Sequence, residues 1–228
     1  MKLRIFIMIL ALFVHPFIHA NNLDSSQKKD QASRKRKSYI AERWNKILTS
    51  ENPTFNTQPN KFLIEMIKSR KPGKALDVGM GQGRNTIYLS EQGWEVTGFD
   101  PAYKAVALAE KHAKQKGLNI KTSIQTSEEF DFGNEQWDLI VLSYVPVRGL
   151  IPKLYESLKD RGIIVLEAFH LDATTDMQIG KGVVFKSNEL IELFKNFRVL
   201  YYEDTNDKSD FGLRYTRIIR LCAQKELN

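Results

Sequence analysis

Cysteine is nearly absent from this chain. Cys222 is the only one in 228 residues, which excludes an intramolecular disulfide and any metal site built from several thiolates, and leaves the redox compartment open. Long apolar stretches are missing too. The ten consecutive apolar residues from Ile5 to Val14 fall well short of the ~20 that span a bilayer, which argues against a permanent helical anchor. There is no internal repeat and no long low-complexity tract. What is present, 42% hydrophobic and 27% charged residues, suits one packed globular domain.

The N-terminus reads as an address rather than as fold. Lys2 and Arg4 precede the apolar run, and His15, Pro16 and an Ile18-His19-Ala20 end lead to Asn21. That is the charged, apolar and cleavable order of a secretory signal, so residues 1–20 are expected to be a signal peptide and the protein to be exported, periplasmic or secreted. An uncleaved membrane tether, or a start codon placed upstream of a cytoplasmic enzyme, are the competing readings. The formal charge is +7, of which Lys2 and Arg4 supply two. Much of the rest sits in Lys28, Lys29, Arg34, Lys35, Arg36 and Lys37. Such a run can hold phosphates or a membrane surface. Its composition favours a solvated tether, so residues 21–37 are expected to be a basic disordered linker and residues 38–228 the folded domain.

From Lys74 onward, short apolar runs alternate with helical patterns, the signature of a parallel sheet with crossover helices. Strands are expected at 74–78, 95–99, 120–124, 137–142 and 163–168. Helices are expected at 84–91, after Pro101 and at 149–158. The second helix carries Ala102, Ala105, Val106, Ala109 and Ala113 on its packed side. The tail breaks the rhythm. Ser187 is placed to cap a short helix through Phe194, and runs at 197–202 and 214–222 read as an antiparallel hairpin. Cys222, near the end of the last run, is expected in the core.

The chemistry concentrates in Asp77-Val78-Gly79-Met80-Gly81-Gln82-Gly83-Arg84-Asn85, where the first strand ends. Glycines there let the backbone turn tightly and approach a ligand with no Cβ in the way. The helix that follows directs its free N–H groups at whatever rests on the loop. A nicotinamide fingerprint needs glycine at the sixth position counted from Gly79, and that position is Arg84. Asp100 ends the second strand, 23 residues after Asp77. A carboxylate there can accept hydrogen bonds from both ribose hydroxyls. Because it precedes Pro101, it can equally be a helix cap.

Asp77 to Asp100, with Trp137-Asp138-Leu139-Ile140-Val141 and Leu158-Lys159-Asp160-Arg161-Gly162, resembles the class I S-adenosylmethionine (SAM)-dependent methyltransferases. Within them it is most similar to the branch of tellurite-resistance and related small-molecule methyltransferases. Trp44, Pro59-Asn60-Lys61-Phe62-Leu63 and Phe185-Lys186-Ser187-Asn188-Glu189-Leu190 extend the likeness over roughly residues 40–222. It implies an α/β, Rossmann-like methyltransferase fold with a mostly parallel seven-stranded sheet, a C-terminal antiparallel hairpin and helices on both faces. It also implies SAM as cofactor, on Asp77, Gly79, Gly81, Gly83, Arg84, Asp100, Thr126, Ser127 and Ser143. Gly79 and Gly81 would pass under the methionine portion, Arg84 would meet its carboxylate and Asp100 would hold the ribose. Thr126 and Ser127 stand where the family carries an acid for the adenine amino group.

Methyl transfer asks the protein mainly to position donor and acceptor. At the mouth of the site, Tyr144 and His170 are the candidate catalytic groups, with His170 as a base. Glu167 is a candidate for substrate binding or loop capping, and Arg148 for attracting an anion or simply for the surface. A lid is expected from residues 39–60 and from the loop 169–186. The expected partner is a small-molecule acceptor at sulfur, oxygen or a chalcogen. No specific nucleic acid is expected, since Ser143-Tyr144-Val145-Pro146 replaces the Asn/Asp-Pro-Pro-aromatic motif and no second cysteine serves carbon-5 chemistry. A SAM- or nucleotide-binding protein without turnover, an RNA methyltransferase and a nicotinamide oxidoreductase are the alternatives.

Overall fold

The structure is a computed structural model and describes residues 25–226. The expected signal peptide at 1–20, and the first residues of the expected linker, lie outside the described residues. The rest of that linker is helical: α1 runs from Ser25 to Leu48. Its residues are mainly Lys, Arg, Gln, Ala and Ser, with no Gly or Pro to break a helix, and Asp30 pairs with Arg34 one turn on at 3.0 Å. Compact packing divides the chain into two units, one ending at Lys35 and one beginning at Arg36. In the first, residues 27–35 are exposed on every side. Among the described residues no helix is long and apolar enough to cross a membrane.

In the second unit the chain continues as α2 (Lys61–Ile67), β1 (Lys74–Val78), α3 (Arg84–Glu91), β2 (Glu95–Phe99), α4 (Tyr103–Gln115), β3 (Lys121–Ser123) and β4 (Trp137–Ser143). After them come α5 (Ile151–Ser157), β5 (Leu158–His170), β6 (Val184–Phe185), α6 (Glu189–Leu193), β7 (Arg198–Lys208) and β8 (Tyr215–Gln224). The sheet order is β3-β2-β1-β4-β5-β8-β7, with β6 attached to β5. The first five strands are parallel, and β8 runs antiparallel between β5 and β7. The expected count of seven strands omits β6, a two-residue addition beyond the end of β4.

Alternate residues of the central strands feed two cores. Leu76, Val78, Ile140, Leu142, Ile164 and Leu166 face one side, against Leu154 of α5 and Leu190 of α6. Ala75, Leu139, Val141, Ile163 and Val165 face the other, against Phe62, Leu63 and Ile67 of α2 and Leu89 of α3. Burial on both faces is why β4 reads as an unbroken apolar run rather than an alternating one. Cys222 belongs to the second core, where burial pushes its thiol up to about 11.

Three local expectations differ from the structure. Ser187 does not cap α6: the cap position is Asn188, in the left-handed region, with no side-chain bond. The Ser187 hydroxyl is engaged by Arg217 and His170 instead. Strand β5 begins at Leu158, ahead of the expected residue 163, and passes through Arg161 at φ 61°. The hairpin is longer than its apolar runs, because cross-strand charges hold its polar end: Arg217 bonds Asp204, and Arg220 bonds Glu203 and Asp207.

The turn from β1 into α3 closes through Gly83, at φ 79°, where a Cβ would lie 2.7 Å from the Ala109 Cβ on α4. Both the left-handed backbone and the contact oppose any side chain there. Gly83→Ala is expected to lower stability by about 1–3 kcal/mol, measured as a shift in urea unfolding. An unchanged midpoint would mean that the turn relaxes freely.

Candidate functional site

The loop after β1 is pinned from the neighbouring strand. Gly79 and Met80 both donate their N–H groups to the Phe99 carbonyl, at 3.0 and 3.1 Å. The Asp100 carboxylate then accepts from Gly81 N at 3.0 Å and from Ala102 N at 2.7 Å. It is therefore a clamp between two βα turns and not the side-chain cap of α4, whose cap residue is Ala102. Gly79 sits at φ 68°, and a Cβ there would come within 2.6 Å of Val145, so the loop passes this neighbour only as bare backbone. Asp77, beneath the loop, accepts from the Thr86 hydroxyl at 2.7 Å, and burial pushes its carboxyl up to about 6. Burial raises Asp100 as well, opposed by its two backbone donors.

Arg84, first residue of α3, lies on the same crevice and is nearly buried. Its Nη1 donates to Asp210 Oδ2 at 2.6 Å and to the Gln58 carbonyl at 3.0 Å. Its Nη2 has no partner and, with Asn45 Nδ2, is one of two such buried side-chain atoms among the described residues. Asp210 comes from the turn between β7 and β8. It also accepts from Asn56 Nδ2 and Asn60 Nδ2, each at 2.8 Å. Asn60 bridges onward to Glu167 Oε1 at 2.9 Å. Glu167 further accepts from Tyr144 at 2.8 Å and, on its other oxygen, from Arg220 at 2.7 Å. A chain of charge and hydrogen bonds thus joins the glycine loop to the hairpin.

Apolar groups close the crevice from outside. Leu48, Phe55 and Phe211 line it together with Gly79, Met80, Gly81, Gln82, Asn85 and Ser143. Phe55 stacks on Phe211 at 5.4 Å between ring centres, and Trp44 meets Phe211 edge-on at 6.1 Å. The space left is about 30 Å3, room for roughly one water. Residues 39–60 therefore supply one side of the closure, through Leu48 and Phe55. The other side is the turn after β7, not the loop 169–186. That loop packs its Ala173 and Val184 with Tyr144, Phe169 and Ile218.

Comparison with known proteins matches residues 52–212 to the family of tellurite resistance protein TehB. The chain belongs to the TehB family, in the class I SAM-dependent methyltransferases. The probable S-adenosyl-L-methionine-dependent methyltransferase TehB of Haemophilus influenzae is 28% identical over 149 residues, which are 62% of this chain and 52% of that protein. The chain thus spans about half the length of this relative. The crystal structure of TehB from Haemophilus influenzae superposes with a TM-score of 0.61 at 25% identity, covering 72% of this chain and 61% of that one. The N-methyltransferase NodS from Bradyrhizobium japonicum, solved with S-adenosyl-L-homocysteine, gives a TM-score of 0.63 over 81% of this chain and 97% of its own, and at 17% identity it shares the fold.

Within this TehB-family fold the expected site residues separate into groups. Asp77, Gly79, Gly81, Arg84 and Ser143 line one crevice. Gly83 closes the turn beside it, and Asp100 clamps Gly81 from the next strand. Ser143 accepts from Asn85 Nδ2 at 3.3 Å. Thr126 lies apart from that crevice; its N–H and hydroxyl both donate to Glu129 Oε2, at 3.0 and 3.1 Å, which leaves the hydroxyl oxygen able to accept. Lys37 pairs with Glu129 and holds its carboxyl at about 2. Ser127 lies in the same turn.

The two groups expected to be catalytic are engaged elsewhere. The Tyr144 hydroxyl donates to Glu167 and accepts from Asp210 N at 3.1 Å, and burial followed by the Glu167 charge raises it well above the usual phenol range. Such a phenol holds its proton and is no base. His170 is buried, accepts from Asp172 N at 3.1 Å and meets Ser187 Oγ at 3.1 Å, so it caps the 3-10 turn at Leu171–Thr175. Arg148 bonds Glu189 at 2.6 Å and the Val184 carbonyl at 2.7 Å while lying over the Phe185 ring, which makes it a clamp on β6. Asp210, Phe211, Phe55 and Arg220 escaped the sequence reading: they lie in a polar turn, an irregular strap and a strand, and no spacing connects them. Asn60 lay inside a quoted segment, but nothing local marks its role.

Asp77 makes the stability pH-dependent. Its folded carboxyl titrates near 6 rather than the ordinary 3.8, so the folded state holds the proton more tightly. The resulting stabilisation is complete below about 3.8 and is lost as the pH rises through about 6. Between pH ~3.5 and ~7, wild type is expected to lose up to about 3 kcal/mol relative to Asp77→Asn, read from urea unfolding. A constant difference across that range would contradict it.

Proposed function

We propose that the chain binds SAM on the β1–α3 loop and transfers its methyl group to a small-molecule acceptor at sulfur, oxygen or a chalcogen. One observation carries the reading: Arg84, which lines the crevice together with Gly79 and Gly81, has a buried donor, Nη2, without a partner. A buried guanidinium N–H left unpaired is costly, and a carboxylate is the partner that its geometry suits. The methionine carboxylate of SAM is such a group. The chain's residues therefore fit SAM at that end, with Asp100 at the end of β2 for the ribose. Membership of the TehB family supports the same assignment.

Bound SAM would supply an electrophilic methyl group on a sulfonium. The protein's part is positional. The glycine loop lets backbone approach the amino-acid portion, Arg84 fixes its carboxylate, and Asp100 receives hydroxyls on the oxygen lone pairs that its two N–H partners leave free. Leu48, Phe55 and Phe211 must swing outward for entry, since the closed crevice holds only about 30 Å3, and their return excludes water from the reacting pair. No base is assigned. Tyr144 keeps its proton, and an acceptor that is already an anion, or a soft neutral chalcogen, needs none. Export by the N-terminal signal belongs to the proposal and rests on residues 1–20 alone.

A SAM-binding protein without turnover is the second reading, motivated by Thr126, which offers a hydroxyl, a weaker acceptor than a carboxylate, where the resemblance implies an acid. Titration calorimetry with SAM and S-adenosylhomocysteine tests the first step, and an acceptor screen read as released S-adenosylhomocysteine tests the second. Saturable binding with turnover is the expected outcome. Binding with no product from any acceptor favours the second reading, and no binding by folded protein overturns both. Asp100→Ala is expected to weaken SAM binding by about 1–3 kcal/mol; an unchanged affinity would mean that Asp100 neither holds the ribose nor sets the loop for binding.

A further inference from the structure

Arg84 carries a long side chain with several rotatable bonds, and an unpaired guanidinium would normally turn toward water. Here it cannot. The side chain is 8% exposed, and Nη1 is fixed by the Asp210 carboxylate at 2.6 Å and by the Gln58 carbonyl at 3.0 Å. Asp210 is itself held from three sides. Asn56 Nδ2 donates to Oδ1 at 2.8 Å, Asn60 Nδ2 donates to Oδ2 at 2.8 Å, and the Asp210 N–H donates to the Tyr144 hydroxyl at 3.1 Å. The turn bearing Asp210 is stitched to the strap before α2 by Asn56 N to the Asp210 carbonyl at 2.7 Å and by Gly212 N to the Thr54 carbonyl at 2.8 Å. Nη1 is thus saturated, and Nη2 is left buried without a partner on a residue that lines the crevice.

We infer that Asp210 is a positioning residue for recognition of the ligand's amino-acid carboxylate: it locks Arg84 by Nη1 so that Nη2 is presented to the crevice. This rests on the SAM reading above. Asp210 does not touch the ligand in this scheme. It fixes the direction of a charge-assisted donor, and preorganised direction is what a bidentate-capable guanidinium loses when its anchor is removed. The cost falls on ligands with a carboxylate and not on the nucleoside part, which other elements hold.

The test compares two ligands on the full chain by titration calorimetry: S-adenosylhomocysteine, which carries the amino-acid group, and 5′-methylthioadenosine, which lacks it. Asp210→Asn is expected to weaken S-adenosylhomocysteine by at least roughly tenfold, the scale of one charge-assisted hydrogen bond, and to leave 5′-methylthioadenosine within about twofold. Asn56→Ala, which removes one of the holds on the Asp210 carboxylate, should lower the ratio of the two affinities in the same direction and by less. If Asp210→Asn does not fold, Asp210→Glu, with the charge displaced, should show the same selective loss at smaller size. Equal weakening of both ligands, or no weakening, overturns the inference while the SAM reading stands. Wild type that binds neither ligand overturns both.

Discussion

Two backbone N–H groups on one buried carboxylate hold this site together. Asp100 accepts from Gly81 in the first βα turn and from Ala102 in the second, so a single side chain sets the distance between the two loops that open above adjacent parallel strands. Crevices at the carboxyl ends of such strands are where open α/β sheets bind ligands. Gly81, the donor from the first turn, stands at positive φ with Gly79 and Gly83, a backbone that glycine adopts without strain. The carboxylate is raised by burial and lowered by its donors, and the two effects meet at the one place where a ligand hydroxyl would compete for the same oxygens.

A second constraint runs through charge. The antiparallel hairpin carries Glu203, Asp204, Asp207 and Asp210 along its polar end, and Arg217, Arg220 and Arg84 answer them. Glu167, at the end of the last parallel strand, ties this set to Asn60 and Tyr144. At Arg84, Asp210, Glu167 and Arg220, which lie deep, an unpaired charge is expensive and each depends on its partners being in place. The outcome couples the C-terminal hairpin to the glycine loop and to the strap at 54–60. Phe55, Phe211 and Leu48 pack together over the crevice.

The parallel half of the fold was legible because its signals are local. Apolar runs bounded by glycine mark β1 and β2, and small residues on every third or fourth position mark the packed face of α4. The glycine loop and Asp100 were legible for the same reason, each sitting where a strand ends. The polar half of the hairpin was not legible, since Asp204 and Asp207 are held by Arg217 and Arg220 of the partner strand, pairings that leave no local pattern. The helical run at 25–37 carries the charge of a linker but the residue types of a helix. Tyr144 and His170 looked catalytic from position alone. Their hydrogen-bond partners, Asp210 and Ser187, lie 66 and 17 residues away, and such pairings leave no trace in spacing.

Backbone hydrogen exchange with and without S-adenosylhomocysteine bears most directly on the central claim that the crevice between the first two βα turns is the ligand site, capped by the strap and the hairpin turn. The account predicts slowed exchange at residues 79–84 and 100–102, with matching protection at 54–60 and 209–212 as the cap closes again over the ligand. Saturable binding with protection confined to other parts of the sheet, and these segments unchanged, would contradict it.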